Sequence, residues 1–159
     1  MLFRKDCDKN DKPGLTFKGR WFMRRYGSSH ELLEELSGEN VITENGLEFV
    51  ASYLSSGAAS ASTFTMAYVA VGTDSTAEAA SNTALGTELA RTTGTVSYVS
   101  NAMYRVTATF VAGAGTGAIV EYGLFSSSTG GTMFSRDTEA AINKGAGDSL
   151  VVQTDITLA

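Results

Sequence analysis

The chain has 159 residues and a mass of 16.7 kDa, room for one domain with a core of its own. Apolar residues make up 43% and charged residues only 18%; Ser, Thr, Gly and Ala fill the deficit, a mixture suited to strands and turns rather than surface helices. A single cysteine, Cys7, excludes an internal disulfide framework; no run reaches the ~18 apolar residues of a membrane-spanning helix, and the N-terminus lacks a signal peptide's apolar region, so a protein made and kept in the cytoplasm is expected.

The net charge of −5 is unevenly spread. Residues 1–27 carry Arg4, Lys5, Lys9, Lys12, Lys18, Arg20, Arg24 and Arg25 against three Asp, whereas residues 28–57 hold six Glu and no Lys or Arg. Such polarity suggests that the basic arm meets an acidic surface, either its own, a neighbouring copy's or a partner's. Nucleic acid is disfavoured, because the whole is acidic and contains no recognisable binding module.

In chain order, residues 1–16 are charged and end in the turn signal "NDKPG", as in an arm without a core. "FKGRWFMRRY" places Trp21 and Met23 on one side and Phe22, Arg24 and Tyr26 on the other, an edge strand with its Arg residues in water. "HELLEEL" fits either a helical turn or a second strand. "TENGLEFVASYLSSG" is a helix: Thr43 is an N-cap, Glu44 and Glu48 suit the positive end, and Gly57 closes it. Leu47, Val50, Ala51 and Leu54 then form one apolar stripe toward a core.

From Thr63 the period changes to two. "TFTMAYVAVG", "TGTVSYVS", "AMYRVTATFVAG", "GAIVEYGLFSS", "TMFSR" and "DSLVVQTDITLA" read as six strands, separated by Gly-rich turns. In the third, Tyr104, Val106, Ala108 and Phe110 face inward; in the last, Thr154 interrupts the face of Leu150, Val152, Ile156 and Leu158. The expected fold is mainly β: an antiparallel β-sandwich with one short α-helix and an extended basic N-terminal arm. Residues 1–27 form the arm and an edge strand, and residues 28–159 the sandwich domain with its helix at about 44–55.

Between the first two of these strands lies "GTDSTAEAASNTALG". A phosphate-binding loop would end in Lys followed by a hydroxyl residue; this stretch has no Lys, and reads as a structural crossover. The sole histidine, His30, has no GxSxG elbow to serve and reads as a solvated polar residue. Cys7 has neither Cys nor His beside it, and no loop offers the alternating carboxylates of a calcium site. No catalytic, cofactor-binding or metal-binding residue is assigned, and no cofactor is expected. Glu88, Arg91 and Glu121 stand out as charges in apolar strand contexts. A buried carboxylate needs a counter-charge, for which Arg91 is the natural candidate; the three read as a salt-bridged staple pinning the crossover to the sheet.

"ENVITENGLEFVASYL", "YVAVGTDST", "SNTALGTELAR" and "AIVEYGLFSSSTGGTMFSR" together resemble a pattern of small structural proteins of tailed-bacteriophage virions. The resemblance covers roughly residues 40–138, on Asn40, Gly46, Leu47, Gly72, Thr73, Leu85, Gly86, Glu88, Arg91, Glu121, Gly123, Leu124 and Phe125. Asp74 stands where Gly is usual, and Asn82 where Asp is usual. What the resemblance implies is a non-enzymatic virion protein, made in the bacterial host cytoplasm. It would decorate or cement the head, binding the outer capsid through the arm residues Arg4, Lys5, Lys9, Lys12, Lys18, Arg20, Arg24 and Arg25. A neck or tail adaptor or fibre-base protein is the alternative within that class, and a carbohydrate-binding module the alternative outside it. The implied partners are the protein's own copies, as a homo-oligomer with a trimer favoured, and the major capsid protein or portal and tail proteins. No membrane partner is expected.

Overall fold

Strand alternation accounts for most of the chain. The computed structural model describes residues 16–55, 66–100 and 102–158. They form nine strands and one helix: β1 (Phe17–Tyr26), β2 (Leu32–Ile42), α1 (Glu44–Ser55), β3 (Tyr68–Gly72), β4 (Glu88–Thr93), β5 (Thr95–Ser100), β6 (Met103–Phe110), β7 (Gly117–Phe125), β8 (Met133–Lys144) and β9 (Ser149–Leu158). All pairings are antiparallel, in the order β4-β3-β7-β8-β2-β1-β9-β6-β5. The expected mainly-β sandwich with one helix is the observed fold.

The long sheet folds over into two layers. One is β2-β1-β9-β6-β5 and the other β4-β3-β7-β8, and β2 joins them. Leu32 and Glu34–Asn40 pair with β1, with Leu33 in a register shift, while only Val41 and Ile42 pair with β8, opposite Arg136 and Ser135. At the other side the chain passes from β4 to β5 through Gly94, which packs tightly enough that a Cβ would lie 2.6 Å from Val106 Cγ1. Trp21, Met23, Val106, Phe110, Leu150, Val152 and Ile156 of the first layer meet Val69, Val71, Tyr122, Leu124, Phe134 and Ile142 of the second in one core. Tyr104, Val106, Ala108 and Phe110 point inward as expected, with Tyr104 partly buried.

Three expectations need correction, and one open alternative is decided. β1 is not an edge strand, since it lies between β2 and β9, and fully buried Trp21 sits at the centre of the core. Of the two readings of "HELLEEL", the second strand is the observed one, with Leu32–Leu36 opening β2 and His30 and Glu31 just before it. "ELARTT" forms a seventh strand after residue 63, β4, which a reading of the segment as crossover passes over. "TMFSR" is only the start of a 12-residue β8 that runs on through polar "DTEAAINK".

The helix forms where expected, with another face inward. Thr43 caps it, the Gly46 amide donating to Thr43 Oγ1 at 3.0 Å while that hydroxyl donates to the Met133 carbonyl at 2.6 Å. Leu47, Ala51 and Leu54 are exposed; the inner face is Gly46, Phe49, Val50 and Tyr53. Gly46 decides this rotation, because a Cβ there would lie 2.6 Å from the Phe134 carbonyl oxygen. The helix can therefore rest its backbone directly on β8. Gly57, Phe64 and the arm to residue 15 lie outside the described residues.

Candidate functional site

The largest concentration of buried polar chemistry lies on the outer face of the second layer, under the crossover. A register shift between Ile119 and Glu121 turns Glu121 away from the core, while Ile119, Tyr122 and Leu124 stay in it. On the outer face Ala70, Leu85, Phe125 and Met133 make a second apolar cluster, with Leu85 reaching down from the crossover to close it. Glu121 is wholly buried beside this cluster, and the crossover backbone wraps its carboxylate. Oε1 accepts from the amides of Thr87 at 2.8 Å and Asp74 at 3.2 Å, and Oε2 from the Gly86 amide at 2.9 Å.

The counter-charge is Arg136 of β8, only 2% exposed, which donates to Glu121 Oε2 from Nε at 3.1 Å and from Nη2 at 2.9 Å. Its Nη1 donates to Asn82 Oδ1 at 3.1 Å and to the Ala77 carbonyl at 3.4 Å, and Asp74 Oδ2 lies 3.7 Å from Nη2. One ion pair thus holds both ends and the middle of the crossover. Amides of the Thr76 turn keep the Asp74 carboxyl below the usual carboxylate range. A hydrogen bond from Thr138 does the same for Glu78, at 2.6 Å.

Glu121 therefore pairs with Arg136 and not with Arg91, a correction to the expected staple. Arg91 pairs with Glu88 at 2.6 Å, stacks 3.6 Å over the Phe125 ring, and donates to the carbonyls of Ser127 at 2.9 Å and Gly130 at 2.8 Å. It fastens the 126–132 turn, where Gly130 and Gly131 take positive φ, to β4. The three expected residues are thus two neighbouring fastenings on one layer. Arg136, Asn82 and Asp74 were not anticipated. The only signal for Arg136 is its place in a strand whose neighbours Met133 and Phe134 are apolar.

Four members of the expected partner-binding arm belong to the domain instead. Lys18, Arg20, Arg24 and Arg25 lie on β1. Arg24 is hydrogen-bonded to Glu35, and Arg25 pairs with Glu34 at 3.2 Å and Asp148 at 2.9 Å. Arg20 lies 5.1 Å over the Phe22 ring. Arg24 and Arg25 are thus met by acids within the chain, whereas Lys18 and Arg20 are exposed on the same strand. Arg4, Lys5, Lys9 and Lys12, like Cys7, lie outside the described residues. His30 is exposed in the β1–β2 turn, with φ +64°.

A second polar group lies between the layers. Trp21 and Tyr122 stack with ring centroids 5.2 Å apart; Thr154 is the cross-strand neighbour of Trp21, and Asp137 that of Tyr122. Trp21 Nε1, Tyr122 OH, Asp137 Oδ2, Thr154 Oγ1 and Asn40 Oδ1 are buried without a hydrogen-bond partner among the described residues. Burial, reinforced by Glu78 and Glu139, pushes the Asp137 carboxyl up to about 7. An apolar recess of about 240 Å³ opens where α1 meets the sandwich, lined by Phe49, Val50, Tyr53, Val96, Tyr104 and Phe134 among others. No group of three or more His, Cys, Asp or Glu among the described residues is placed to hold a metal ion.

No protein-family model, curated protein or solved structure matches this chain.

Proposed function

We propose that the chain is a non-enzymatic structural component of a tailed-bacteriophage virion, one that decorates or cements the head and engages the outer capsid through its N-terminal arm. The observation that carries this reading is where the positions of the phage-like pattern fall in space. Gly72, Leu85, Gly86 and Glu121 converge on the clamp under the crossover. Glu88, Arg91 and Phe125 form the fastening beside it, and Asn40 and Gly46 seat β2 and α1 on β8. The two departures from the pattern, Asp74 and Asn82, sit around Arg136 in the same clamp. The pattern thus describes how a load-carrying sandwich is locked, as suits a building block used in many copies. With Arg24 and Arg25 engaged inside the domain, the basic charge left for an acidic partner surface is that of Arg4, Lys5, Lys9 and Lys12, with the exposed Lys18 and Arg20 following them on β1.

Cryo-EM of virions carrying the protein tests the reading directly. Density over the capsid lattice is expected, whereas density confined to the portal vertex would replace head decoration by the neck or tail role. A binding assay tests the arm. Deleting residues 2–16 is expected to abolish addition of the purified protein to undecorated capsids, and binding of the intact chain is expected to weaken as salt is raised. Equal binding with and without those residues would remove the arm from the mechanism.

A further inference from the structure

The two ends of the folded sheet are β4 and β5, and they are protected very differently. β4 carries the Glu88–Arg91 pair, and Arg91 ties it to the 126–132 turn. β5 reads "TVSYVS", with no charge and no Pro. Val96 is 42% exposed, Tyr98 78% and Val99 41%. β6 pairs with one side of β5, and no strand among the described residues takes up the backbone N–H and C=O groups of the other. The register shift of β5 lies between Tyr98 and Ser100, so Thr95–Tyr98 is regular. Free edges in folded proteins are ordinarily guarded by charge, Pro or brevity, because an unguarded edge is a template for another strand. Among the described residues, Thr95–Tyr98 has neither a charge nor a Pro to guard it.

We propose that β5 is the self-association edge of the protein, pairing antiparallel with β5 of a second copy about a two-fold axis through Ser97. The occupant is a second copy for two reasons. First, an axis through Ser97 makes the strip self-complementary. Val96 and Tyr98 share the face of Val106 and Tyr104 and both lie in the regular stretch, so each Val96 meets Tyr98 of the second copy. Aromatic against β-branched is a favourable cross-strand pair, and here it occurs twice. Second, the chain is net negative, and a strip without charge lets two copies meet with no like charges opposed. β5 is such a strip. The result is a dimer whose first layer runs continuously through both copies, rather than the trimer expected from the resemblance. This inference does not rest on the virion reading, and it is measured on the purified full chain in solution.

Sedimentation velocity over a concentration series is expected to show reversible dimers of the 16.7 kDa chain. Ser97→Lys sets two ammonium groups opposite each other at an exposed position that the fold does not need, and is expected to weaken dimerisation about tenfold or more. In a Cys7→Ser background, Ser97→Cys is expected to give a disulfide-linked dimer, since directly opposed antiparallel residues fall within bridging distance. Thr109→Cys, exposed on β6, is expected to remain uncrosslinked. Hydrogen exchange at Val96–Val99 is expected to slow as protein concentration rises. A monomer at all concentrations overturns the proposal, as does an oligomer that is indifferent to Ser97→Lys and yields no Ser97→Cys link. Concentration-independent protection of those amides also overturns it, because the chain's own residues would then cover the edge.

Discussion

Arg136 and Glu121 are unequal partners, and their variants are expected to differ accordingly. Arg136→Met leaves a buried carboxylate without its counter-charge, at a cost of about 3–5 kcal/mol. Glu121→Leu is expected to cost more, because it strands Arg136 and also orphans the amides of Asp74, Gly86 and Thr87. Urea denaturation of the two variants checks the order. Asp137 gives a pH dependence of a definite sign. Its carboxyl is raised to about 7 in the folded chain against roughly 3.9 unfolded, so the folded state holds the proton more tightly. The stability linked to that proton is fully present below about pH 4 and is lost as pH rises through about 7. Asp137→Asn is therefore expected to be more stable than the parent at pH 8, by roughly 1–4 kcal/mol, with the difference vanishing near pH 4. Thermal melts of both proteins from pH 4 to 8 test it; equal slopes would rule out Asp137 as their source. At this scale the sequence was partly legible. A lone Glu in "AIVEYGLF" announces a buried carboxylate, but its counter-charge lies 15 residues on, beyond a turn, and strand register decides which Arg arrives.

Among the elements, α1 shows where periodicity runs out. Two stripes of apolar residues run along it, one through Leu47, Val50, Ala51 and Leu54 and one through Phe49, Val50 and Tyr53, and side-chain hydrophobicity does not choose between them. The choice is made by Gly46, through an absence of side chain that hydropathy cannot register. Gly46→Ala should raise intrinsic helix propensity by about 1 kcal/mol. Yet its methyl would lie 2.6 Å from the Phe134 carbonyl oxygen, an overpacking that costs about 1–3 kcal/mol. Net destabilisation is expected in chemical denaturation, together with a chemical-shift change at Phe134. Strands with a clean apolar alternation, such as β6 and β9, were legible. β4 was not, because as an edge strand it carries Glu88 and Arg91 in a polar, half-exposed pattern. The polar half of β8 was missed for a related reason: beyond Arg136 the strand no longer pairs with β2, and Glu139, Ala140, Ala141 and Asn143 are exposed.

For the molecule as a whole, the sandwich was legible from the number and spacing of strands, and the order of those strands was not. β1 is taken for an edge strand because its Arg residues call for water, yet its cross-strand neighbours on β2 supply Glu34 and Glu35 instead. Charge complementarity between two strands is a pairing signal that only a topology can turn into a position. That position has a consequence for how the chain comes to be folded. β1 pairs with β9 along its whole length, from Phe17 opposite Leu158 to Tyr26 opposite Ser149. On the ribosome, β1 emerges well over a hundred residues before β9, its second neighbour, and such high contact order slows folding. Until then the indole of Trp21 has only one flank of its eventual enclosure. Joining the two ends by a short linker and reopening the chain in the exposed turn at 145–147 would make β9 and β1 consecutive. That permutant is expected to refold faster than the parent at similar stability, as stopped-flow fluorescence of Trp21 would record. Unchanged rates would mean that closing the first layer is not the slow step.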